Sequence, residues 1–152
     1  MKKLCLALFA ALAGATFVSA EEVYIDARAL PEKKGWVQEG EFMRSLAAGT
    51  SLSGTFTASK AGVMHLNVYT MTHGGNTRKA AIIINGKNCG SFGDEPLAEG
   101  KKAGFYWVKG TKPIIVKEGG NTVLIKGMPY ARLSFVILSD NPDFVPPDVS
   151  DF

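Results

Sequence analysis

The sequence predicts an all-β fold, an antiparallel β-sandwich of about eight short strands. Apolar and polar residues alternate along most of the chain after residue 20, and Gly, Asn and Pro interrupt the alternation at short intervals. No window beyond residue 20 sustains a helical period, and "GEFMRSLAAG" (40–49) is the best candidate for one short helix. Many short strands separated by turn residues are typical of sandwiches and barrels.

Residues 1–20 have the pattern of a secretory signal peptide. Lys2 and Lys3 precede an apolar run over 4–18, and Ser19 and Ala20 are small residues of the kind that signal peptidase accepts. The run is shorter than the roughly 20 apolar residues of a membrane span, and no later stretch approaches that length. We therefore expect a secreted or periplasmic mature chain without a membrane span.

The predicted mature chain, residues 21–152, suits one domain with a hydrophobic core. Without Lys2 and Lys3, 15 basic residues face 14 acidic ones, so the formal charge falls from +3 to +1. No cluster of Lys and Arg is interleaved with aromatic residues, so we expect no nucleic-acid partner. Cys89 is the only cysteine left, which excludes an internal disulfide; we expect it to be a small buried residue rather than a reactive thiol.

Two long segments show the strand alternation most clearly. In "LSGTFTA" (52–58), Leu52, Phe56 and Ala58 share one face. In "VMHLNVYTM" (63–71), one face carries Met64, Leu66 and Val68, and the other carries His65, Asn67 and Tyr69. The apolar faces belong in the core. The polar face of the second strand is either a platform for a ligand or the solvated side of a sheet.

The other strands follow from shorter patterns. "AAIIIN" (80–85) is apolar on both faces, as in a central strand, and Asn85-Gly86 suits a tight turn with positive φ. Further strands are predicted at 23–27, 105–109, 114–117, 122–126 and 133–138. One shared core is predicted to contain Phe56, Leu66, Ile82, Ile84, Val123 and Phe135.

The segment "IIVKEGGNTVLIKG" (114–127) predicts a tight hairpin. Glu118-Gly119-Gly120-Asn121 would reverse the chain and place the apolar residues of both arms in one core: Ile114, Val116, Val123 and Ile125. The sandwich domain is expected to span residues 21–145. Because "DNPDFVPPDVSDF" (140–152) contains three prolines and four aspartates, residues 146–152 are predicted to be an extended tail, on the surface or disordered.

The order of these segments resembles that of galactose-binding-like jelly rolls. "AGVMHLNVYTM", "AAIIINGK", the aromatic pair in "FYWVKG", "PIIVKEGGNTVLIKG" and "ARLSFVILSDNPDFVP" follow one another as in the carbohydrate-binding modules of secreted glycosidases and polysaccharide lyases. The resemblance covers nearly the whole mature chain. It implies a jelly-roll sandwich and a sugar-binding function.

The resemblance also implies site residues. Trp107, with Tyr106 beside it, matches the family's aromatic residue before the Gly-x-Asn segment, and Trp36 would form a second wall. The Asn that relatives carry between the last two strands has no counterpart in 127–130. The alternative is that one or both tryptophans are core residues.

We expect no metal and no cofactor here, because the chain departs from the family pattern at one of the expected calcium ligands. Relatives that hold a structural calcium ion have an acid in the first strand, which Asp26 would supply, and an Asp in the last strand, where this chain has Ser134. Calcium requires six to eight oxygen ligands.

A second candidate site is the loop "HGGNTRK" (73–79). It gathers the polar side chains of His73, Asn76 and Arg78 among glycines, although a solvated turn is the simpler interpretation.

We expect no enzymatic activity, because His65 and His73 lie in no nucleophile or zinc motif and the acids of "SFGDEPLAEG" (91–100) are those of a solvated loop. The sequence therefore favours a non-catalytic module that binds a glycan. The alternative is a structural or protein-interaction β-sandwich with a partner protein and no sugar.

Overall fold

The computed structural model describes residues 21–73 and 78–151. The predicted signal peptide, Asn76 with the rest of 74–77, and Phe152 lie outside the described residues. The described chain forms twelve strands: β1 (Glu22–Asp26), β2 (Glu32–Lys34), β3 (Trp36–Glu39), β4 (Phe42–Ser45), β5 (Thr50–Ala58), β6 (Gly62–Thr72), β7 (Ala80–Ile84), β8 (Lys87–Phe92), β9 (Gly104–Lys109), β10 (Ile114–Val116), β11 (Gly119–Gly127) and β12 (Arg132–Ser139). Two short 3₁₀ helices lie at Ala27–Ala29 and Val149–Asp151.

The strands form two antiparallel sheets that face each other as a sandwich. One sheet has the order β10-β6-β12-β4-β3, with β9 also pairing with β6 and β1 also pairing with β12. The other has the order β2-β5-β11-β7-β8. The predicted all-β sandwich is confirmed. The predicted strand number was too low, because edge strands of three or four residues, such as β2 and β3, are too short to show an alternation.

The predicted helix at 40–49 is wrong. Residues Phe42–Ser45 form β4, which pairs with β3 from Trp36↔Ser45 to Glu39↔Phe42. Met43 is buried and its neighbours Phe42 and Arg44 are partly exposed, which is the period of a strand. Sheet pairing thus overrode a weak local preference.

The core lies between the two sheets. Leu52, Leu66, Ile82 and Ile125 are fully buried there. Phe56, Ile84 and Val123, which were also predicted for the core, belong to the same cluster of buried residues. Cys89 is also buried, as expected, and is a free thiol whose pKa is raised above its usual value, chiefly by burial.

Phe135 is the exception among the predicted core residues. Its side chain is only 8% exposed, but it does not belong to the core cluster. The register between β12 and β6 shifts between Leu133 and Phe135, so Leu133 points into the core and Phe135 points to the opposite face. A one-residue irregularity reverses the side that each following residue faces. We call this opposite face, which points away from the five-stranded sheet, the outer face.

The predicted tight hairpin at 114–127 is wrong, although the packing expected of it is confirmed. β10 pairs with β6, whereas β11 pairs with β5 and β7, so the turn leads from one sheet to the other. All four apolar residues lie in the core: Ile114, Val116, Val123 and Ile125. Two strands joined by a turn have the same alternating pattern whether they pair in one sheet or lie in two facing sheets, so the sequence pattern does not distinguish the two arrangements.

Asn121 holds this turn from within. Its side chain is buried, accepts hydrogen bonds from Lys117 N (2.9 Å) and Asn85 Nδ2 (2.8 Å), and donates to Lys117 O (2.8 Å) and Gly119 O (3.0 Å). Asn85 and Gly86 have φ values of 49° and 78°, which confirms the predicted turn between β7 and β8.

After β12 the chain crosses the outer face. Lys109 Nζ donates a hydrogen bond to Pro142 O, and farther on Pro146, Pro147 and Val149 are half-buried against the sheet. We call residues 146–151 the tail segment. No helix in the two described ranges is long and apolar enough to cross a membrane.

Candidate functional site

Four aromatic rings form a continuous row on the outer face. Ring centroids are 4.9 Å apart for Phe42 and Phe105, 5.5 Å for Phe105 and Tyr69, and 5.2 Å for Tyr69 and Trp107. Alternation along β9 places residues 105 and 107 on one face, and Trp107 lies opposite Tyr69 on β6. We call Phe42, Phe105, Tyr69 and Trp107 the aromatic row. None of the four belongs to the core cluster.

Two cavities lie between this row and the tail segment. The first, about 290 Å³, is lined by Phe42, Phe105, Phe135 and Val149, among others. The second, about 410 Å³, lies between Tyr69 and Trp107 on one side and Pro146, Pro147 and Asp148 on the other. The pKa of the Tyr69 hydroxyl is raised, first by burial and then by the Asp148 carboxylate, so the hydroxyl remains protonated at neutral pH. Concave spaces of this size that are bordered by aromatic rings suit a small ring-shaped ligand.

Trp107 and Tyr106 both line the second cavity, but their rings do not lie side by side. They are consecutive in β9, so their side chains point to opposite faces. The Tyr106 ring lies 4.8 Å from Lys101 Nζ, and its hydroxyl donates a 2.8 Å hydrogen bond to Lys102 O. Trp107 is therefore the one of the pair whose ring joins the aromatic row.

Trp36 is a core residue, which is the alternative considered for it above. Its side chain is only 5% exposed. A Cβ atom at Gly127 would lie 2.5 Å from Trp36 Cζ2, so the indole packs directly on that glycine. A side chain enclosed in this way cannot form the second wall of a surface site, which corrects that expectation.

A group of arginines lies at the end of the sandwich where β6, β7, β11 and β12 end or begin. The guanidinium carbon of Arg44 lies 5.9 Å, and that of Arg78 5.5 Å, from the centre of the Tyr130 ring. We call Arg44, Arg78 and Arg132 the arginine cluster. Both distances are within the range of cation–π attraction.

Arg132 connects the arginine cluster to the aromatic row. Its guanidinium carbon lies 5.9 Å from the centre of the Phe42 ring. Glu39 forms an ion pair with Arg44 and contacts Arg132 Nε at 3.8 Å. One carboxylate thus bridges two members of the cluster.

Backbone hydrogen bonds fix the loop that carries Tyr130. Tyr130 N donates to Ser45 O (3.0 Å), Ser45 N donates to Ala131 O (2.9 Å), and Met128 N donates to Lys79 O (2.9 Å). Tyr130 has a φ of 63°, a conformation that costs a non-glycine residue about 1 kcal/mol or more, and its ring is 49% exposed. The loop therefore presents the exposed Tyr130 ring to solvent, and the backbone of Tyr130 is strained.

His73 lies close to this cluster. Burial first, and then the charges of Arg78 and Arg132, lower the pKa of His73 below its usual value of 6.5. Its Nε2 atom is shielded from solvent and has no hydrogen-bond partner among residues 21–73 and 78–151. Of the predicted loop site, the structure thus places His73 and Arg78 together, while Asn76 lies outside the described residues.

Sequence reasoning missed Arg44, Tyr130 and Arg132. They are far apart along the chain, and each is an ordinary residue in its own segment. The positive φ at Tyr130 cannot be inferred from the residue type, since tyrosine seldom adopts it.

Asp26, the acid considered for a calcium ion, is bound by Arg28. Its carboxylate accepts hydrogen bonds from Arg28 N (2.9 Å) and from the guanidinium group (2.8 Å at Nη2), and the same arginine pairs with Glu41. The Ser134 hydroxyl donates a hydrogen bond to Glu41 O. No group of three potential metal ligands of the His, Cys, Asp or Glu type is present in the described part of the chain.

Two acids of the loop between β8 and β9 also have partners within the protein. Asp94 forms a 2.8 Å ion pair with Lys79, and Glu95 Oε2 accepts a 2.8 Å hydrogen bond from Gly93 N. These contacts tie the loop to Lys79 and to its own backbone.

Solved structures of carbohydrate-binding modules are similar to this chain. A family 35 carbohydrate-binding module from an environmental isolate matches with a TM-score of 0.58 and 14% identity, over 82% of this chain and 97% of that one. The CBM36-1 domain of a multidomain xylanase from the hindgut metagenome of Trinervitermes trinervoides matches with a TM-score of 0.58 and 13% identity, over 82% and 100%.

A third similar structure contains a bound sugar. It is the carbohydrate-binding module CBM6cm-2 from Cellvibrio mixtus lichenase 5A in complex with cellotriose, with a TM-score of 0.58 and 16% identity, over 78% of this chain and 97% of that one. The fold is a jelly roll like that of carbohydrate-binding modules. No protein-family model and no curated protein matches the sequence.

Proposed function

We propose that this protein is a non-catalytic module that binds a glycan outside the cytoplasm, in the periplasm or in the medium. The observation that supports this most is the aromatic row, four rings in contact that lie outside the core and border two cavities. The fold shared with carbohydrate-binding modules is consistent with it.

The chemistry of the row suits sugars. One face of a pyranose ring presents C–H groups that pack on an aromatic ring, while its hydroxyl groups need polar partners. Trp107 offers the largest ring, and the protonated hydroxyl of Tyr69 offers a donor or acceptor beside it. Because the site is shallow, affinities from micromolar to millimolar are expected, about −8 to −4 kcal/mol.

Titration of a glycan panel with Trp107→Ala tests this proposal. The variant should stay folded, with a modest drop in melting temperature because the Trp107 ring packs on Tyr69. It should lose at least about 80% of its affinity, since a stacking ring contributes about 1 to 3 kcal/mol. The matched control is Tyr24→Ala, which removes a 47% exposed ring from the same sheet outside the row and its cavities. Equal affinity of parent and Trp107→Ala, or no binding to any glycan of the panel, would contradict the proposal.

Fluorescence gives an independent readout of the same site. In a Trp36→Phe background, Trp107 is the only tryptophan of the chain. Its emission should change when a glycan binds, and Trp36→Phe alone should leave the affinity unchanged because Trp36 lies in the core.

A protein-interaction role is the second candidate, and one surface feature favours it. Val63 on β6 and Ile115 on the edge strand β10 are cross-strand neighbours and are 50% and 63% exposed. An exposed apolar pair at a sheet edge is a contact point for another chain. The double variant Val63→Ser with Ile115→Ser tests this role. If it abolishes self-association, or binding to a defined partner, and leaves glycan binding intact, then the sheet edge binds a protein and does not take part in glycan binding.

A further inference from the structure

We propose that the second cavity, the space of about 410 Å³ between the aromatic row and the tail segment, binds a sugar with a protonated amino group. The ammonium group would lie between the Asp148 carboxylate and the rings of Tyr69 and Trp107. This inference rests on the glycan-binding function proposed above and adds the chemical class of the sugar, an amino sugar.

The first argument is the charge of the cavity wall. Among the described residues that line the second cavity, Asp148 is the only one with a formal charge, and the others are aromatic residues, prolines and a valine. The carboxylate already acts on one of these rings, because after burial it contributes to the raised pKa of the Tyr69 hydroxyl. The described wall thus has one negative charge and no positive charge.

The second argument is that the carboxylate is available to a ligand. Asp148 Oδ1 accepts hydrogen bonds from Ser150 N and from Ser150 Oγ, both at 3.1 Å. These two bonds, the backbone one first, lower the pKa of the Asp148 carboxyl, so it is ionised at neutral pH. Asp148 Oδ2 has no hydrogen-bond or ion-pair partner among residues 21–73 and 78–151. One oxygen therefore fixes the side chain, and the other can bind a cation.

The third argument is the chemistry of the rings. The face of an aromatic ring attracts a cation, and tryptophan does so most strongly. In this protein Arg132 lies over the Phe42 ring, at one end of the aromatic row. In the described part of the chain, no cation lies over the faces of Tyr69 and Trp107. These two rings can therefore receive the ammonium group of a ligand.

Two lysines of this region are engaged elsewhere. Lys101 Nζ lies 4.8 Å from the centre of the Tyr106 ring, and Lys109 Nζ donates a hydrogen bond to Pro142 O. Neither lysine lines the second cavity. Neither one therefore takes the place that we assign to the ammonium group.

These features favour an amino sugar over the other classes of sugar. An acidic sugar would place a second negative charge beside Asp148, and like charges repel each other. A neutral sugar can donate hydroxyl groups to the carboxylate. An ammonium group adds a charge-assisted hydrogen bond to Asp148 and an attraction to the ring faces, while the C–H groups of the same sugar pack on Trp107.

Two matched pairs of sugars test the inference, with the emission of Trp107 in the Trp36→Phe background as the readout. The first pair is glucosamine and glucose, which differ in one group, an amine or a hydroxyl. The second pair is the hexamers of these two sugars, joined as in chitosan and cellulose. At about pH 5.5, where a sugar amine is protonated and Asp148 is ionised, the amino member of at least one pair should bind about fivefold or more tightly. Residues 21–152 contain 15 basic and 14 acidic residues, so overall charge does not favour a cation.

Variants link the preference to Asp148. Asp148→Asn keeps an oxygen acceptor for Ser150 and removes the charge, so it should remove most of the preference for the amino sugar. The matched control is Asp143→Asn, which removes an exposed acid that lines neither of the two cavities and should retain the preference. Equal losses of preference in both variants would overturn the inference. An equal fall in the binding of amino and neutral sugars in Asp148→Asn would also overturn it, because Asp148 would then act only as an acceptor for hydroxyl groups.

The outcomes also separate this inference from the proposed function. If neutral glycans bind in a way that depends on Trp107, and neither pair shows a preference for the amine, the inference is overturned and the function stands. If no sugar of the two pairs and no glycan of the panel binds, the proposed function fails and the inference falls with it.

Discussion

The two faces of the seven-stranded sheet both carry apolar side chains, but they are covered in different ways. On the inner face, Leu66 and Val68 are fully buried by the five-stranded sheet. On the outer face, Tyr69 and Trp107 lie under a tail segment that pairs with no strand, and cavities remain between the tail segment and the rings. The inner face is packed as a core is packed, whereas the outer face offers apolar surface next to open space.

The contrast teaches that burial alone does not separate core from surface in this protein. Leu138 and Ile137 are neighbours in β12 and both have an exposed fraction of 0%. Leu138 belongs to the core cluster and Ile137 does not. What differs is the covering layer, and the following predictions test this difference, from the largest expected effect to the smallest.

Leu66→Ala should have the largest effect on the inner face. Truncation of a fully buried leucine leaves a cavity and should lower the free energy of unfolding by about 2 to 5 kcal/mol, measured by urea denaturation. The control on the same strand is Val63→Ala, which is 50% exposed and should change stability by less than about 0.5 kcal/mol. Similar costs for both would mean that the inner face has been assigned to the wrong side of β6.

Removal of the outer cover should cost less. A chain that ends at Val145 lacks the half-buried Val149 and the two prolines. Its free energy of unfolding should fall by less than about 3 kcal/mol, which is the upper limit for exposing one apolar side chain of that size. In the Trp36→Phe background, the emission of Trp107 should shift to longer wavelength, because the ring becomes more exposed to water. If the shortened chain no longer unfolds cooperatively, we would conclude that the outer face and the tail segment form a second hydrophobic core.

A smaller effect concerns pH and His73. Because the folded state lowers the pKa of His73 below 6.5, the unfolded state binds the proton first as the pH falls. The contribution of His73 to stability is therefore complete above pH 6.5 and is lost as the pH falls from there through the lower pKa of the folded state. Melting temperatures measured at about pH 7.5 and about pH 5.5 should differ less in His73→Gln than in the parent. An equal difference in both proteins would contradict this.

The smallest effect should come from a chelator. Asp26 is already paired with Arg28, whose guanidinium group also contacts Glu41, so the positive charge at this position comes from the protein itself. Addition of EDTA should leave the melting temperature unchanged, since only a ligand that binds the folded state raises it. A drop that calcium reverses would show that other oxygens complete a site, and Asp26→Asn would then abolish the response.

Much of the candidate site was visible in the sequence only as single residues. Trp107, His73 and Arg78 were predicted. The structure places Trp107 in the aromatic row, Arg78 in the arginine cluster and His73 beside that cluster. The pairing of Trp107 with Tyr69 follows from the strand register, which no local pattern specifies. The assembly of Arg44, Arg78 and Arg132 depends on contacts between segments that are up to 88 residues apart in the sequence.

The sequence by itself determined the class of fold and which strand faces are apolar, because a period of two is a local property of an extended chain. It also determined the Asn85-Gly86 turn, since few other residue pairs adopt two positive φ values. Only the tertiary structure decided that β10 and β11 lie in different sheets, that the bulge before Phe135 turns that ring outward, and that Trp36 is enclosed while Trp107 is not. These depend on which strands pair and what covers each face, and sequences with the same alternation satisfy several such arrangements.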